Sequence, residues 1–207
     1  MHVMNQFIKL PYTLRDLTNK HRYIDLAVYL TIRSTENNGK SMYSWDKIAR
    51  KLSISKQTVG ESIKRLEELD VIEIEQERSY KIDGVYNVYK FKDKGRFEAI
   101  RYDILDKGLK GKILGVLLYL QLQSFFDIVT IYKQSDLASL LEVSESTVKR
   151  YLKQLKDYIK VKEYWIKLEN IRYDFNEVQN PEEVKSVPIL NILYNILDNK
   201  YLELVQK

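Results

Sequence analysis

Two short stretches of this sequence carry polar side chains whose types and spacing suit contact with a polyanion. The first holds Ser55, Lys56, Gln57, Gly60, Glu61 and Lys64; the second holds Ser144, Glu145, Ser146, Lys149, Arg150 and Lys153. On a helix, each set falls on one face, opposite an apolar stripe. The chemistry on offer is hydrogen bonding and charge. Gln57 has the donor–acceptor pair that complements an adenine edge, and Arg150 the fork that fits guanine. Lys56, Lys64, Lys149 and Lys153 are point charges suited to phosphates. Gly60 leaves room for a phosphate or base to approach closely. Arg78 and Lys81, and later Lys160 and Lys162, follow the two stretches and would track the adjacent backbone. The plain alternative for every one of these residues is a solvated helix face.

The elements that position these residues come from an internal repeat. Shifting the sequence by 89 aligns Ile48–Leu66 with Leu137–Leu155. Seven of the nineteen positions are identical: Ala49/Ala138, Leu52/Leu141, Ser55/Ser144, Thr58/Thr147, Val59/Val148, Lys64/Lys153 and Leu66/Leu155. A shift of 90 places Phe7, Leu10, Tyr12 and Leu14 on Phe97, Ile100, Tyr102 and Ile104. The chain therefore reads as two homologous units, residues 1–94 and 95–175, followed by a segment at 176–207. The join is the polar run Asp93-Lys94-Gly95-Arg96.

Each unit predicts the same order of elements. In the first, Tyr23–Ser34 has helical apolar spacing, and Asn37-Asn38-Gly39 ends it. Ser44 caps a short helix ending near Leu52, Ser53-Ile54 makes a turn, and Ser55 caps a second helix to about Leu69. Val71–Glu77 and Val85–Phe91 alternate as strands around an Asp83-Gly84 turn. In the second, the spacing predicts helices over Lys112–Phe126, Ser135–Leu141 and Ser144–Tyr158. It also predicts a short strand at Thr130–Lys133 and a compact hairpin over Tyr158–Leu168. Ala49 and Ala138 supply the small residue where two steeply crossed helices approach. Val59, Ile63 and Leu66, with Val148, Leu152 and Leu155, form the buried stripe of each second helix. The expected fold is mainly α with small β-hairpins, an α+β chain.

The pattern Ala-x-x-Leu-x-Ile/Val-Ser-x-x-Thr-Val-x-x-x-Ile/Leu-x-x-Leu, followed by a hairpin, resembles the winged-helix superfamily. It occurs twice and covers about 160 of 207 residues. The resemblance implies two winged helix-turn-helix units in tandem, whose second helices enter successive major grooves about 34 Å apart. The two faces differ outside the core, so the implied site is asymmetric or an imperfect palindrome. Many family members carry a glycine near Asp70 to end the recognition helix in a left-handed turn; Asp tolerates that conformation. The second unit has Ile159 there, which leaves its helix end and wing open. The internal pseudo-dimer is similar to MarR-like regulators and to the TraN type of DNA-binding proteins from Gram-positive conjugative plasmids. It is also similar to plasmid replication initiators with tandem winged helices, and the opening Phe7-Ile8-Lys9-Leu10-Pro11-Tyr12 to phage replisome organisers. These resemblances imply double-stranded DNA as partner, and either transcriptional repression of a mobile-element operon or replication initiation. A winged-helix scaffold that docks protein is the alternative of a different class.

Composition narrows the rest. There is no cysteine, and the only histidines are His2 and His21, so thiolate or histidine metal sites and histidine relays have no components. Seven glycines and three prolines argue against phosphate-cradling loops and extensive disorder. The 16 tyrosines lack the metal-binding histidines or arginine cluster that a DNA-nicking tyrosine needs. No catalytic residue, metal or cofactor is expected. Net charge is +5; residues from Asp174 onward carry six acids and three bases, so the body is the basic part. No apolar run approaches the ~20 residues of a membrane span, and a soluble, cytoplasmic protein is expected. Pro188 opens an apolar helical stripe through Ile189, Leu193, Ile196, Tyr201 and Leu204, predicted to pack across the two units or to form a homodimer contact. The sequence leaves a small-molecule effector open.

Overall fold

The computed structural model describes residues 7–17, 21–79, 84–92, 95–124, 127–130, 134–161 and 165–172. The predicted C-terminal segment, 176–207, lies outside the described residues, as do Lys81, Asp83 and Lys162. The fold is α+β, and its element order is written twice. Strand β1 (Phe7–Pro11), a 3-10 turn (Tyr12–Asp16), helix α1 (Arg22–Arg33), β2 (Lys40–Ser41), α2 (Trp45–Leu52), α3 (Lys56–Glu68), β3 (Ile72–Ser79) and β4 (Gly84–Phe91) make the first half. The second half repeats it as β5 (Phe97–Arg101), a 3-10 turn (Tyr102–Asp106), α4 (Gly111–Gln123), β6 (Ile128–Thr130), α5 (Gln134–Leu141), α6 (Glu145–Gln154), β7 (Ile159–Val161) and β8 (Trp165–Leu168). The two three-stranded sheets share one topology, β2-β4-β3 and β6-β8-β7.

The halves are joined by a pairing the hydropathy pattern leaves unassigned. β1 and β5 form a two-stranded antiparallel ladder with Phe7 opposite Arg101, Lys9 opposite Ala99 and Pro11 opposite Phe97. Under the 90-residue repeat, Lys9 and Ala99 are each other's counterparts, and Phe7/Arg101 maps onto Phe97/Pro11. The ladder is thus symmetric about its own centre, as a pseudo-twofold axis requires. The Phe7 and Phe97 rings stack over it at 6.1 Å.

Helices α1 and α4 are the counterparts that pack on each other. α4 is apolar nearly all round, and every residue from Ile113 to Leu122 is buried, as such a helix must be. Gly115 makes the close crossing possible: a Cβ there would stand 1.6 Å from the Tyr23 carbonyl oxygen. Core residues from both halves, including Leu26, Leu30, Leu52, Leu66, Leu117, Leu141 and Leu155, belong to one hydrophobic cluster. The start of each central helix also supports the helix pair of the opposite half. Arg22, buried at 2% exposure, donates to the Leu140 carbonyl at 3.3 Å and pairs with Glu142 at 3.0 Å. The Tyr23 hydroxyl donates to the Leu141 carbonyl at 2.6 Å, and burial pushes its pKa up to about 12, so it stays a donor. On the other side Gly111 abuts Leu52, with room for a Cβ only 3.1 Å from the Leu52 Cβ.

Three helix ends share one local solution. Ser53, Asp70 and Glu142 adopt left-handed backbone, with φ of 54°, 57° and 51°. The next residue's N–H reaches back to a carbonyl five residues earlier: Ile54 to Ala49 at 3.0 Å, Val71 to Leu66 at 3.3 Å and Val143 to Ala138 at 3.0 Å. Each of those next residues is apolar and packs back over the helix, as this type of C-terminal cap requires. The left-handed Asp70 is as expected.

The second half departs from expectation in its lengths. α6 stops at Gln154 rather than running to Tyr158, and Leu155 N–H caps it by bonding to the Leu152 and Tyr151 carbonyls. Ile159 is β-branched and disfavours a left-handed stop; it is buried instead as the first residue of β7. α4 ends at Gln123, short of Phe126, and β6 covers Ile128–Thr130, earlier than the predicted strand. In the first half, β3 runs two residues beyond Glu77, pairing along its whole length with β4. No helix among the described residues is long and apolar enough to cross a membrane.

Candidate nucleic-acid interface

Helices α3 and α6 are equivalent in the repeat, and both are seated by their buried stripes. Val59, Ser62, Ile63 and Leu66 are buried on α3. Val148 and Tyr151 are buried on α6, with Leu152 half-buried and Leu155 buried at its end. The opposite faces are exposed: Ser55, Lys56, Gln57, Glu61 and Lys64 on one, Ser144, Glu145, Ser146, Lys149, Arg150 and Lys153 on the other. Gly60 apart, each proposed set therefore sits together on a single exposed helix face.

The two serines begin the helices. Ser55 Oγ accepts from the Thr58 N–H at 3.0 Å, and Ser144 Oγ from the Thr147 N–H at 3.3 Å. Each also touches the threonine hydroxyl, at 2.8 Å and 3.0 Å. These caps fix the N-terminal turns that carry the leading polar residues. Replacing either serine with alanine is expected to cost about 1 kcal/mol, and both together roughly twice that. Urea unfolding of the single and double variants checks this; unchanged midpoints would remove the capping role.

The faces differ in electrostatics. On the first, Lys56 Nζ lies 2.6 Å from Asp46, Gln57 Nε2 donates to Glu61 at 2.9 Å, and Lys64 lies 3.9 Å from Glu68. α3 holds three cations (Lys56, Lys64, Arg65) and three anions (Glu61, Glu67, Glu68). On the second, Lys149, Arg150 and Lys153 have no carboxylate partner among the described residues, and Glu145 is the only anion on α6. The Arg150 guanidinium lies 5.9 Å from the Tyr151 ring centre.

The remaining expected residues fall as follows. The space beside Gly60 is taken by Trp45: a Cβ at Gly60 would be 2.7 Å from the indole, whose Nε1 donates to the Tyr89 hydroxyl at 2.9 Å. Gly60 thus serves the α2–α3 crossing, and its approach to a phosphate or base is blocked on that side. Arg78 stands on β3 opposite Val85. Lys160, on β7, is exposed and paired with Glu169 at 2.6 Å. α2 adds three exposed cations; Lys51 pairs with Asp106 at 3.3 Å, which leaves Lys47 and Arg50. Their signal was present in the sequence as an i, i+3 pair on the polar side of the Ile48–Ala49–Leu52 stripe. No group of three or more histidine, aspartate or glutamate residues among those described is placed to hold a metal ion.

No protein-family model matches this sequence, and no curated protein matches it.

Proposed function

We infer that this protein binds double-stranded DNA sequence-specifically, through two winged helix-turn-helix units that form an internal pseudo-dimer within one chain. The observation that carries the reading is the duplication itself: α3 and α6, each capped, seated on a core and followed by a hairpin, present polar and cationic faces from halves related by the symmetric β1–β5 ladder. Solvent-facing helices with donors and cations near their N-termini have the chemistry to read base edges and hold phosphates. Repression of a plasmid or other mobile-element operon is the biological role we favour, with replication initiation next.

The test is selection of bound fragments from sheared genomic and plasmid DNA of the source, at about 150 mM salt, a range in which weak non-specific contacts are largely lost. A sharp peak with two half-sites about one helical turn apart is expected. A position beside a promoter assigns repression; direct repeats beside an AT-rich segment assign initiation. Replacing Lys149 and Arg150 together with alanine is expected to weaken binding to the selected duplex by roughly 30-fold or more. Fluorescence anisotropy reads this; unchanged affinity would mean that α6 is not a DNA-contacting face, and failure to enrich any fragment would leave a protein-docking scaffold as the better account.

A further inference from the structure

The two equivalent helices are not chemically equivalent, and the difference has a consequence for how a duplex would be held. This inference rests on the DNA-binding reading above. On α3 every exposed polar group of the face has an internal partner: Lys56 with Asp46, Gln57 with Glu61, Lys64 with Glu68. A lysine already beside a carboxylate gains little from a phosphate, because the carboxylate left behind repels the backbone it would approach. On α6 the three cations Lys149, Arg150 and Lys153 face solvent without a carboxylate partner among the described residues. They are the groups able to release counterions on binding.

The Gln57–Glu61 pair has a more specific property. Gln57 and Glu61 are one turn apart, and the amide donates one N–H to the carboxylate at 2.9 Å. That bond fixes the amide plane. It leaves one N–H and the carbonyl oxygen of Gln57, one donor and one acceptor, which is the set that adenine N7 and N6 require.

We propose that the two halves divide the work unequally: α6 supplies most of the charge on the phosphate backbone through Lys149, Arg150 and Lys153, while α3 reads an adenine through Gln57, with Glu61 as the positioning residue.

The experiment uses the full chain and a duplex selected by it from a random library. Affinity is measured by anisotropy from about 50 to 300 mM salt. Each phosphate contact contributes about 0.9 to the log–log slope. The triple variant Lys149→Ala, Arg150→Ala, Lys153→Ala is expected to lower the slope by roughly 2–3. The pair Lys56→Ala, Lys64→Ala should lower it by less than about 1. Glu61→Ala should leave the slope unchanged, yet reselection should show preference for adenine at one position relaxed by roughly tenfold. Gln57→Ala should relax the same position. Equal slope changes from the two cation sets, or a preference untouched by Glu61→Ala, would overturn the division. Failure of the unaltered protein to enrich any sequence would instead overturn the DNA-binding reading itself. All these positions are solvent-exposed, and circular dichroism confirms that each variant is folded.

Discussion

Replacing Gly115 with alanine is expected to destabilise the protein by at least about 3 kcal/mol, despite the better helix propensity of alanine. The added methyl would stand 1.6 Å from the Tyr23 carbonyl oxygen and 2.7 Å from the Tyr23 Cα, about half of a normal contact distance in the first case. Those are backbone atoms of α1, so no side-chain rotation relieves the clash. α1 and α4 must separate, and close packing is lost along their whole interface. The start of α1 also holds the turn between α5 and α6 through Arg22 and Tyr23, so the shift reaches that turn. A drop in melting temperature of roughly 6–12 °C follows for a domain of this size. A melting temperature equal to or above that of the unaltered protein would show that the helices do not approach as closely as described.

The second large effect centres on Asp25, which is fully buried in α1. Arg65 reaches it from α3 with a two-pronged contact, Nη2 to Oδ1 at 2.7 Å and Nε to Oδ2 at 3.0 Å. Ser62 Oγ donates to the same carboxylate at 2.7 Å. The hydrogen bonds to Asp25 raise the pKa of the Arg65 guanidinium. A buried charge that loses its partner costs about 3–5 kcal/mol, more than the intact pair contributes. Arg65→Met strands the carboxylate, whereas Asp25→Ala leaves an arginine that is 22% exposed and free to turn toward water. Arg65→Met is therefore expected to be the worse single change, near the upper end of that range, with Asp25→Ala nearer 3 kcal/mol. The double variant should recover most of the loss. Urea denaturation of all three closes the cycle; simple additivity would mean that the pair does not act as a unit.

The same ion pair shows what could and could not be read from the sequence. The stripe Val59–Ile63–Leu66 and its counterpart were legible because burial repeats at helical period, and the serine caps because they directly precede it. Asp25 carried no such sign. It sits in an apolar stretch of α1, and its partner lies 40 residues away. The β1–β5 ladder was hidden for the same reason. Each strand is five residues long, with no turn signal between them, and pairs across some 90 residues. The repeat placed Phe7 on Phe97 and Ile100 on Leu10, but matching positions do not say that the copies pair with each other. Gly60 was open to either use because an empty position on a helix looks the same whether a ligand or an indole lies beside it; the Trp45 ring fills the side where a Cβ would point. α6 stops five residues before Ile159, so the missing left-handed residue marked an unsettled helix end but not where that end falls. The differing charge balance of α3 and α6 was countable in advance, but the pairing of Lys56 with Asp46 required α2 and α3 to be placed.

The symmetric ladder also bears on how the chain folds. Most contacts within each half are local: α2 against α3, β3 against β4, α5 against α6. β1 meets β5 only when nearly half of the polypeptide closes into a loop, and α1 meets α4 under the same constraint. Closure entropy must be met before those long-range contacts return anything, which places them late on the pathway. A half-folded intermediate would then expose α4, a helix apolar nearly all round, until α1 covers it. The duplication thus sets a kinetic hazard together with its remedy. The partner that hides α4 is tethered to it, so collapse within one molecule competes on favourable terms with association between two, a competition that a homodimer built from separate chains loses on dilution.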